Sequence, residues 1–328
     1  MLQFLLRRIL IMIPTLIVIS IIVFIIIQLP PGDYLEAMKA ELEQRGEFLQ
    51  EGTIEKMREQ YGFGEPIVVQ YFKWIFKVCQ GDFGYSFRFK EPVAPLIGER
   101  LLLTIVITLG TIILSWIIAF PIGIYSAIRQ YSLGDYVATF LGFIGLSVPS
   151  FLLALICMFL GFKYFGLSVG GLFSNEYANA PWSWGKFLDM LNHIWVPILV
   201  VGASGTAGLI RILRANLLDE LPKAYVTTAR SGGLSESKLL MRYPVRVALN
   251  PFVSTLGYLL PELISGATIV SIVLSLPTAG PILLEALQSQ DMYLAGAFVM
   301  LLAFLTIIGT LLSDILLAVL DPRIRYQK

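Results

Sequence analysis

The 328-residue sequence has little charge, little cysteine and a single histidine, and each shortage excludes a class of protein. Charged residues make up 14% of it, against about 25% in typical soluble domains. With 56% hydrophobic residues and a mean hydropathy of +0.77, its surface is not one that water alone solvates. Cys79, Cys157 and His193 are too few for a disulfide framework or a histidine-rich metal centre. The composition therefore predicts a membrane protein without a metal site.

Sequence motifs for catalysis and nucleotide binding are also missing. Gly185-Lys186 is followed by Phe187 and lacks the upstream glycine of a phosphate-binding loop, and no serine is marked as an activated nucleophile. The glycines of 202–208 lie within an apolar run, which favours close helix packing over a nucleotide loop. With a net charge of +1, the chain lacks the overall positive charge that is typical of nucleic-acid-binding proteins. We expect no catalytic residues and no cofactor bound by this chain.

Six apolar runs approach the roughly 20 residues that a helix needs to cross a bilayer. They lie at about 9–29, 101–127, 137–160, 196–213, 251–274 and 294–320. A cleaved signal peptide is the alternative interpretation of the first run, but the run exceeds the usual length of about 7 to 15 apolar residues and lacks a small-x-small cleavage site. The sequence predicts an all-α polytopic membrane protein with six transmembrane helices.

The domain organisation follows from these runs. Residues 1–95 are expected to hold an anchor helix and an ordered extracytoplasmic segment, 96–320 the main membrane domain, and 321–328 a cytoplasmic tail. The segment 34–61 has a helical pattern. The segment 70–100 is rich in aromatic residues, which either line a binding surface or form a cap at the membrane boundary. We expect the segment 166–193, with its two tryptophans, to be interfacial.

Lysine and arginine in the short loops set the orientation of the spans. The segment between the fourth and fifth runs is the most basic, with Arg211, Arg214, Lys223, Arg230, Lys238, Arg242 and Arg246. Together with Arg7 and Arg8 before the first run and Arg323, Arg325 and Lys328 after the last, this places both termini in the cytoplasm.

The basic segment, residues 214–250, is predicted to be structured. Pro222 is tolerated in a first helical turn, so we expect a helix of about ten residues that stops at Gly232-Gly233. Ser235 then caps a second helix, which Pro244 disturbs. The alternative interpretation is a solvated connector between two membrane helices. A simple connector does not require two defined helices, so we expect this segment to dock on a cytoplasmic partner.

Residues Ala224-Tyr-Val-Thr-Thr-Ala-Arg-Ser-Gly-Gly-Leu-Ser-Glu236 resemble the cytoplasmic loop motif of binding-protein-dependent ABC importer permeases, specifically the dipeptide and oligopeptide family. In the wider family pattern, Glu-Ala-Ala-x-x-x-Gly, this sequence lacks the glutamate and the first alanine. Further matches occur in order along almost the whole chain: Leu5-Leu6-Arg7-Arg8, Leu29-Pro30-Pro31-Gly32-Asp33, Gly81-Asp82-Phe83-Gly84-Tyr85-Ser86, Ser147-Val148-Pro149-Ser150-Phe151, Arg211 to Leu218, Arg246-Val-Ala-Leu-Asn-Pro251, and Leu320-Asp-Pro-Arg-Ile-Arg-Tyr326.

The resemblance implies a type I ABC importer permease fold in a bacterial or archaeal cell membrane. It also implies a heterodimer with a second permease, two cytoplasmic ATPase subunits that hold ATP and Mg²⁺, and an extracytoplasmic binding protein that delivers peptides. The loop would seat in a groove of an ATPase, with Gly233 providing the turn and Leu234 an apolar contact. The matching positions for this ATPase-coupling loop are Ala224, Tyr225, Thr228, Ala229, Arg230, Gly233, Leu234 and Glu236.

The fifth run departs from the family pattern. Many relatives carry a glutamate near the position of Ser271 and then Pro-Gly-x-Gly, where this sequence has Pro277-Thr-Ala-Gly280 and places Glu262 inside the run. An intramembrane carboxylate usually faces a cavity or a partner. Glu262 lines the translocation pathway, together with Tyr258 and Ser265, or makes an interhelical bond, or lies at a misjudged membrane boundary.

Two other interpretations of the function remain open. The same importer class also carries oligosaccharides or nickel complexes, and the departure near Ser271 weakens a default assignment to peptides. An ion-coupled secondary transporter is the alternative class, but such proteins commonly show internal repeats and midplane ion-binding groups. The sequence shows no convincing repeat and few carboxylates inside the runs.

Overall fold

The computed structural model describes residues 2–28, 65–86, 88–166, 170–254 and 267–320, which are mainly helical. The helices are α1 (Leu2–Gln28), α2 (Ile67–Cys79), α3 (Val93–Ile128), α4 (Leu133–Ser147), α5 (Ser150–Phe165), α6 (Trp184–Glu220), α7 (Ala224–Ser231), α8 (Glu236–Arg242), α9 (Pro244–Ala248), α10 (Asn250–Ser254), α11 (267–273), α12 (Ala279–Gln288) and α13 (Met292–Leu320). Two short strands, β1 (Tyr85–Ser86) and β2 (Glu91–Pro92), pair antiparallel.

Four helices in the described part of the chain are long and apolar enough to cross a membrane: α1, α3, α6 and α13. The bent pair of α4 and α5 raises the number to five if it is one span. The predicted all-α polytopic fold is therefore confirmed. Residues 255–266 of the fifth predicted span lie outside the described residues, and the count of six stays a prediction.

The third predicted span, 137–160, is wrong as a single helix. Helix α4 ends at Ser147, α5 begins at Ser150, and their axes are bent by 101°. Pro149 lacks an amide hydrogen for the helix ladder and forces the preceding residue out of the helical region. Val148 accordingly has an extended backbone, with φ −83° and ψ 120°. Pro149 becomes the N-cap of α5.

The chain divides into two compact units, which are described separately. The first consists of Met1–Arg8, Leu102–Pro281 and Leu305–Lys328. Among the described residues of this unit, two clusters of buried apolar side chains lie along α6. One includes Met190, Ile194 and Val200 of α6, and the other includes Leu213 and Leu217 near the end of that helix. Helix α6 is therefore the central packing element of this unit.

Close packing of the glycine series 202–208 is only partly confirmed. A Cβ atom added at Gly202 would lie 3.2 Å from Ser115 Oγ and 3.3 Å from Thr111 Cγ2, so α3 approaches α6 closely there. Added Cβ atoms at Gly205 and Gly208 would meet nothing within 4 Å. Spacing alone did not reveal which of the three glycines faces the neighbouring helix.

An ion pair fixes the start of α4 on α6. Arg214 donates to both carboxylate oxygens of Asp135, each at 2.8 Å. Asp135 also accepts from the backbone amide of Tyr131 at 3.0 Å, and its side chain is almost fully buried. Such a two-point arginine–carboxylate contact is directional as well as strong, so it sets the register of the two helices.

The second unit consists of Ile9–Leu101 and Ile282–Phe304. Its loop between β1 and β2 is fastened to the start of α13 by Asp291, which is 1% exposed. Ser86 Oγ donates to Asp291 Oδ2 at 2.6 Å, and the Arg88 amide donates to the same oxygen at 3.2 Å. The other oxygen accepts from the Leu294 amide at 3.3 Å, which caps α13.

Candidate functional site

The loop that follows α6, residues 221–243, contains the two helices predicted from the sequence. Helix α6 itself continues through Arg214 to Glu220, within the segment predicted as loop. Helix α7 then covers Ala224–Ser231 and α8 covers Glu236–Arg242. The predicted stop at Gly232-Gly233 is confirmed, but Pro222 lies before α7 and not within its first turn, because Lys223 is the N-cap.

A buried carboxylate at the end of α6 holds the start of α7. Glu220 is 8% exposed. It accepts from the hydroxyl of Tyr225 at 2.5 Å and also from the ammonium group of Lys223. Partial burial, together with the hydrogen bond to Glu220, raises the pKa of the Tyr225 phenol above its usual range. The phenol therefore stays a neutral donor and α7 remains tied to α6.

One residue anchors the underside of α7, and most of the others are exposed. Val226 is fully buried, whereas Ala224, Tyr225 and Thr228 are exposed and Ala229 is half-buried. Leu239, fully buried, anchors α8 in the same way. The exposed surface of α7 is made largely of small or uncharged side chains, with Arg230 at its end. Such a surface allows the close approach of a partner.

The turn between α7 and α8 depends on glycine and on an exposed ion pair. Gly233 has φ +78°, a left-handed conformation that favours glycine. Arg230 donates to both carboxylate oxygens of Glu236, at 2.6 and 3.2 Å, and this hydrogen bonding lowers the pKa of that carboxyl. Leu234 is half-buried. Ser235 occupies the predicted N-cap of α8, but its side chain makes no capping hydrogen bond.

Helix α9 connects this loop to the membrane helices. Val245 and Ala248 are each 1% exposed and belong to the cluster that contains Leu213 and Leu217 of α6. The same cluster includes Phe252 of α10 and residues of α3. Helix α8 also packs against α9, so the loop is in continuous contact with the adjoining parts of α3 and α6.

The other predicted site has no described geometry. Tyr258, Glu262 and Ser265, the candidate pathway residues, lie outside the described residues. Asp314, a carboxylate within α13, forms an ion pair with Arg8 at 3.2 Å. Among the residues that the structure describes, no group of three or more His, Cys, Asp and Glu side chains gathers in an arrangement that suits a metal ion.

Sequence reasoning missed two buried polar contacts. The Asp135–Arg214 pair joins residues 79 positions apart, and no local motif marks it. Lys186, in the first turn of α6, is 3% exposed and donates to the Ala180 carbonyl at 2.7 Å. The two aromatic residues beside it, Phe173 and Trp182, were the available signal, because aromatic faces hold cations.

Both parts of the chain match a described protein family. Residues 119–326 match the family "Binding-protein-dependent transport system inner membrane component". Residues 1–108 match the N-terminal region of such membrane components. Together the matches confirm the resemblance drawn from the sequence, and they agree with the apolar helices of a multi-pass membrane protein.

Individual relatives cover the whole chain. The oligopeptide transport system permease protein AppB of Bacillus subtilis is 35% identical over 99% of this chain and 100% of its own length. The dipeptide transport system permease protein DppB of Escherichia coli and the glutathione transport system permease protein GsiC of Salmonella choleraesuis are each 30% identical over 100% of both chains. The chain belongs to the family of binding-protein-dependent transport system inner membrane components.

Proposed function

We propose that this chain is a non-catalytic permease subunit of an ATP-driven importer, forming half of the transmembrane pathway for peptides. The observation that carries the proposal is the exposed, mostly uncharged surface of α7, a helix that is tied to α6 through Glu220 and anchored by the buried Val226. The full-length similarity to permeases named for oligopeptide, dipeptide and glutathione transport supports peptides as the solute class.

The proposed topology places α7 and both termini in the cytoplasm. Arg7 and Arg8 lie at the start of α1, and the loop after α6 carries several further cations. Positive charge concentrates on the cytoplasmic side of membrane proteins, which supports this orientation. In that arrangement α7 and α8 face the compartment that holds ATP, as a coupling loop requires.

The proposed mechanism uses α7 as a coupling helix. An ATPase subunit receives the exposed face of α7, with Ala224, Tyr225 and Thr228 at the contact. Closure of the ATPase pair moves α7, and the packing of α9 on α6 passes that movement to the membrane helices. The pathway then switches between inward-facing and outward-facing states, as a rigid-body transition of a two-state assembly.

The proposed mechanism requires several partner subunits. A second homologous permease completes the pathway, two cytoplasmic subunits bind and hydrolyse ATP with Mg²⁺, and an extracytoplasmic binding protein delivers the solute. This chain is proposed to bind no cofactor of its own. Tyr258, Glu262 and Ser265 are proposed to line the pathway, and their contribution to solute selection is open to substitution experiments.

The first test is a pull-down of the tagged chain from native membranes in mild detergent, followed by a vanadate-sensitive ATPase assay. We expect a second permease and ATPase subunits to co-purify. Screening the accompanying binding protein against peptides, oligosaccharides and nickel complexes then tests the solute. Recovery of the chain alone, with ion-dependent uptake in vesicles, would overturn the proposal in favour of a secondary transporter.

A matched pair of variants tests the docking surface. Thr228→Arg places a bulky charge on the exposed side of α7, and Ser237→Arg places the same charge on the exposed side of α8. We expect the first variant to lose ATPase association and the second to keep it. A substitution such as Gly233→Arg would be a less specific test, because it would also strain a turn whose backbone is left-handed. Normal association of Thr228→Arg would exclude α7 as the docking helix.

A further inference from the structure

Helix α2 has an apolar stripe that the described residues leave exposed. Val68, Phe72 and Phe76 follow one another at four-residue spacing, which places them on one face of the helix. Their exposed fractions are 61%, 63% and 66%. Cys79 is also exposed and continues the row. We name these four residues the α2 stripe. Contiguous exposed apolar surface of this kind indicates a site of interaction.

The opposite face of α2 is held against α1. The hydroxyls of Tyr71 and Ser20 are hydrogen-bonded at 2.7 Å. The ring of Phe24 lies 5.5 Å from that of Tyr71 and 5.7 Å from that of Trp74. Because these contacts fix which side of α2 meets α1, the α2 stripe is turned away from α1 and is exposed in the part of the chain that the structure describes.

The contacts with α1 also set the depth of α2 relative to the bilayer. The apolar span within α1 is Leu6–Ile26. Ser20 lies six residues before the end of that span, or about 9 Å at a rise of about 1.5 Å per residue. At the same level, Ile22 and Ile25 of α1 are half exposed, as expected for side chains that face lipid. Helix α2 therefore lies level with the end of the hydrocarbon region, not in the water beyond it.

Polar groups mark the water-facing side of the same assembly. Gln28, two residues beyond the apolar span, donates to Gln70 of α2 at 3.0 Å. Lys73 and Lys77 lie along one edge of the α2 stripe, and Lys73 pairs with Glu65 at 2.7 Å. Lysine side chains at such an edge extend to the headgroup layer while the apolar face remains below it.

We propose that α2 is an interfacial helix, and that lipid acyl chains cover the α2 stripe in the leaflet at the C-terminal end of α1. Two observations select lipid over a partner protein. The stripe is level with the exposed isoleucines of α1, and its lysine edge suits the polar headgroup layer of a bilayer. The proposal depends on membrane insertion of α1 and not on the solute or on ATPase docking.

The test uses nitroxide labels on the full-length chain, purified with its associated subunits and reconstituted in vesicles of phosphatidylcholine and phosphatidylglycerol. Cys79 is labelled directly in a Cys157→Ala chain, so no residue of α2 is changed. A second label occupies Phe72→Cys in a Cys79→Ser, Cys157→Ala background. The matched control is Lys73→Cys, one residue away on the lysine edge. Power saturation measures collision with oxygen and with a water-soluble nickel chelate.

We expect oxygen collisions to exceed nickel collisions at positions 72 and 79, and the order to reverse at position 73. Dominant nickel collision at 72 and 79 would place the stripe in water. Low collision with both reagents would show that protein covers it. Either result would overturn the proposal, and the Cys79 label gives the answer even where Phe72→Cys fails to assemble.

Discussion

The segment before α6, residues 170–183, turns its polar contacts inward, whereas the loop after α6, residues 221–243, leaves most of a helix exposed. In the first, the ammonium of Lys186 lies 4.7 Å from the Phe173 ring centroid and 5.3 Å from that of Trp182. The Asp189 carboxylate accepts from the Ser174 amide at 2.8 Å, which ties the segment to α6. These contacts hold the segment against the start of α6.

In the second loop the polar contacts are used differently. Glu220 and Arg230 fix the two ends of α7, and only Val226 of that helix is fully buried. A segment whose polar groups are all satisfied within the chain suits a structural role. A helix that is anchored at both ends but exposed on one face suits binding to a partner that moves. The comparison supports a static role for residues 170–183 and a docking role for α7.

The largest expected effect breaks the anchoring of α7. Val226→Asp places a carboxylate where the native side chain is fully buried, at a cost of about 3 kcal/mol or more in the local stability of α7. We expect amide hydrogen exchange across 224–231 to rise to the level of an unfolded segment. Thr227→Asp, next to it but exposed, should change little. Equal exchange in the two variants would mean that Val226 is no anchor.

The next effect concerns the segment before α6. Lys186→Ala removes a charged hydrogen bond and two cation–π contacts, together worth about 2 kcal/mol. We expect faster proteolysis within 170–183, with no change in exchange across α7.

Lys163 supplies the control for this prediction. Its ammonium lies 5.4 Å from the centroids of the Phe159 and Tyr164 rings but is exposed. Lys163→Ala should therefore cost less than about 1 kcal/mol. If Lys186→Ala also opens α7, the two loops are coupled and the contrast between them fails.

A smaller effect tests the close packing of α3 against α6, the helix that joins the two loops. Gly202→Ala adds a methyl group 3.2 Å from Ser115 Oγ, which requires α3 or α6 to shift slightly. We expect a loss of about 1 kcal/mol, seen as a lower midpoint of thermal unfolding. Gly205→Ala meets nothing within 4 Å and should be neutral or stabilising, because alanine favours helix. Identical midpoints would argue against close packing at Gly202.

Local signals in the sequence explain which elements were predictable. The ends of α7 and α8 follow from Gly232-Gly233 and Pro244, which act on their immediate neighbours. Pro149 was visible too, but whether a proline kinks a span or breaks it depends on packing that lies far away in the sequence. The partner of Asp135 has no local signal in the sequence. The aromatic residues near Lys186 indicate a site for a cation but do not show by themselves that its side chain is buried, so both features required the structure.

The smallest expected effect is the pH dependence of the turn between α7 and α8. Hydrogen bonding to Arg230 lowers the pKa of the Glu236 carboxyl from its ordinary value of 4.5. A lowered pKa in the folded state means that the pair stabilises the turn above about pH 4.5 and that this stabilisation disappears as the pH falls through the folded pKa. Both side chains are exposed, so we expect a local and salt-sensitive change.

Glu236→Gln separates this pair from other acid effects on the loop. The variant keeps the shape of the side chain but has no carboxylate to protonate. The ratio of its exchange rate to that of the parent, measured at α8 residues at each pH, cancels the intrinsic pH dependence of exchange. We expect a ratio above one at neutral pH that falls to one below the pKa of Glu236. A ratio independent of pH would show that the turn depends on Gly233 and the buried anchors Val226 and Leu239, with no contribution from the Arg230–Glu236 pair.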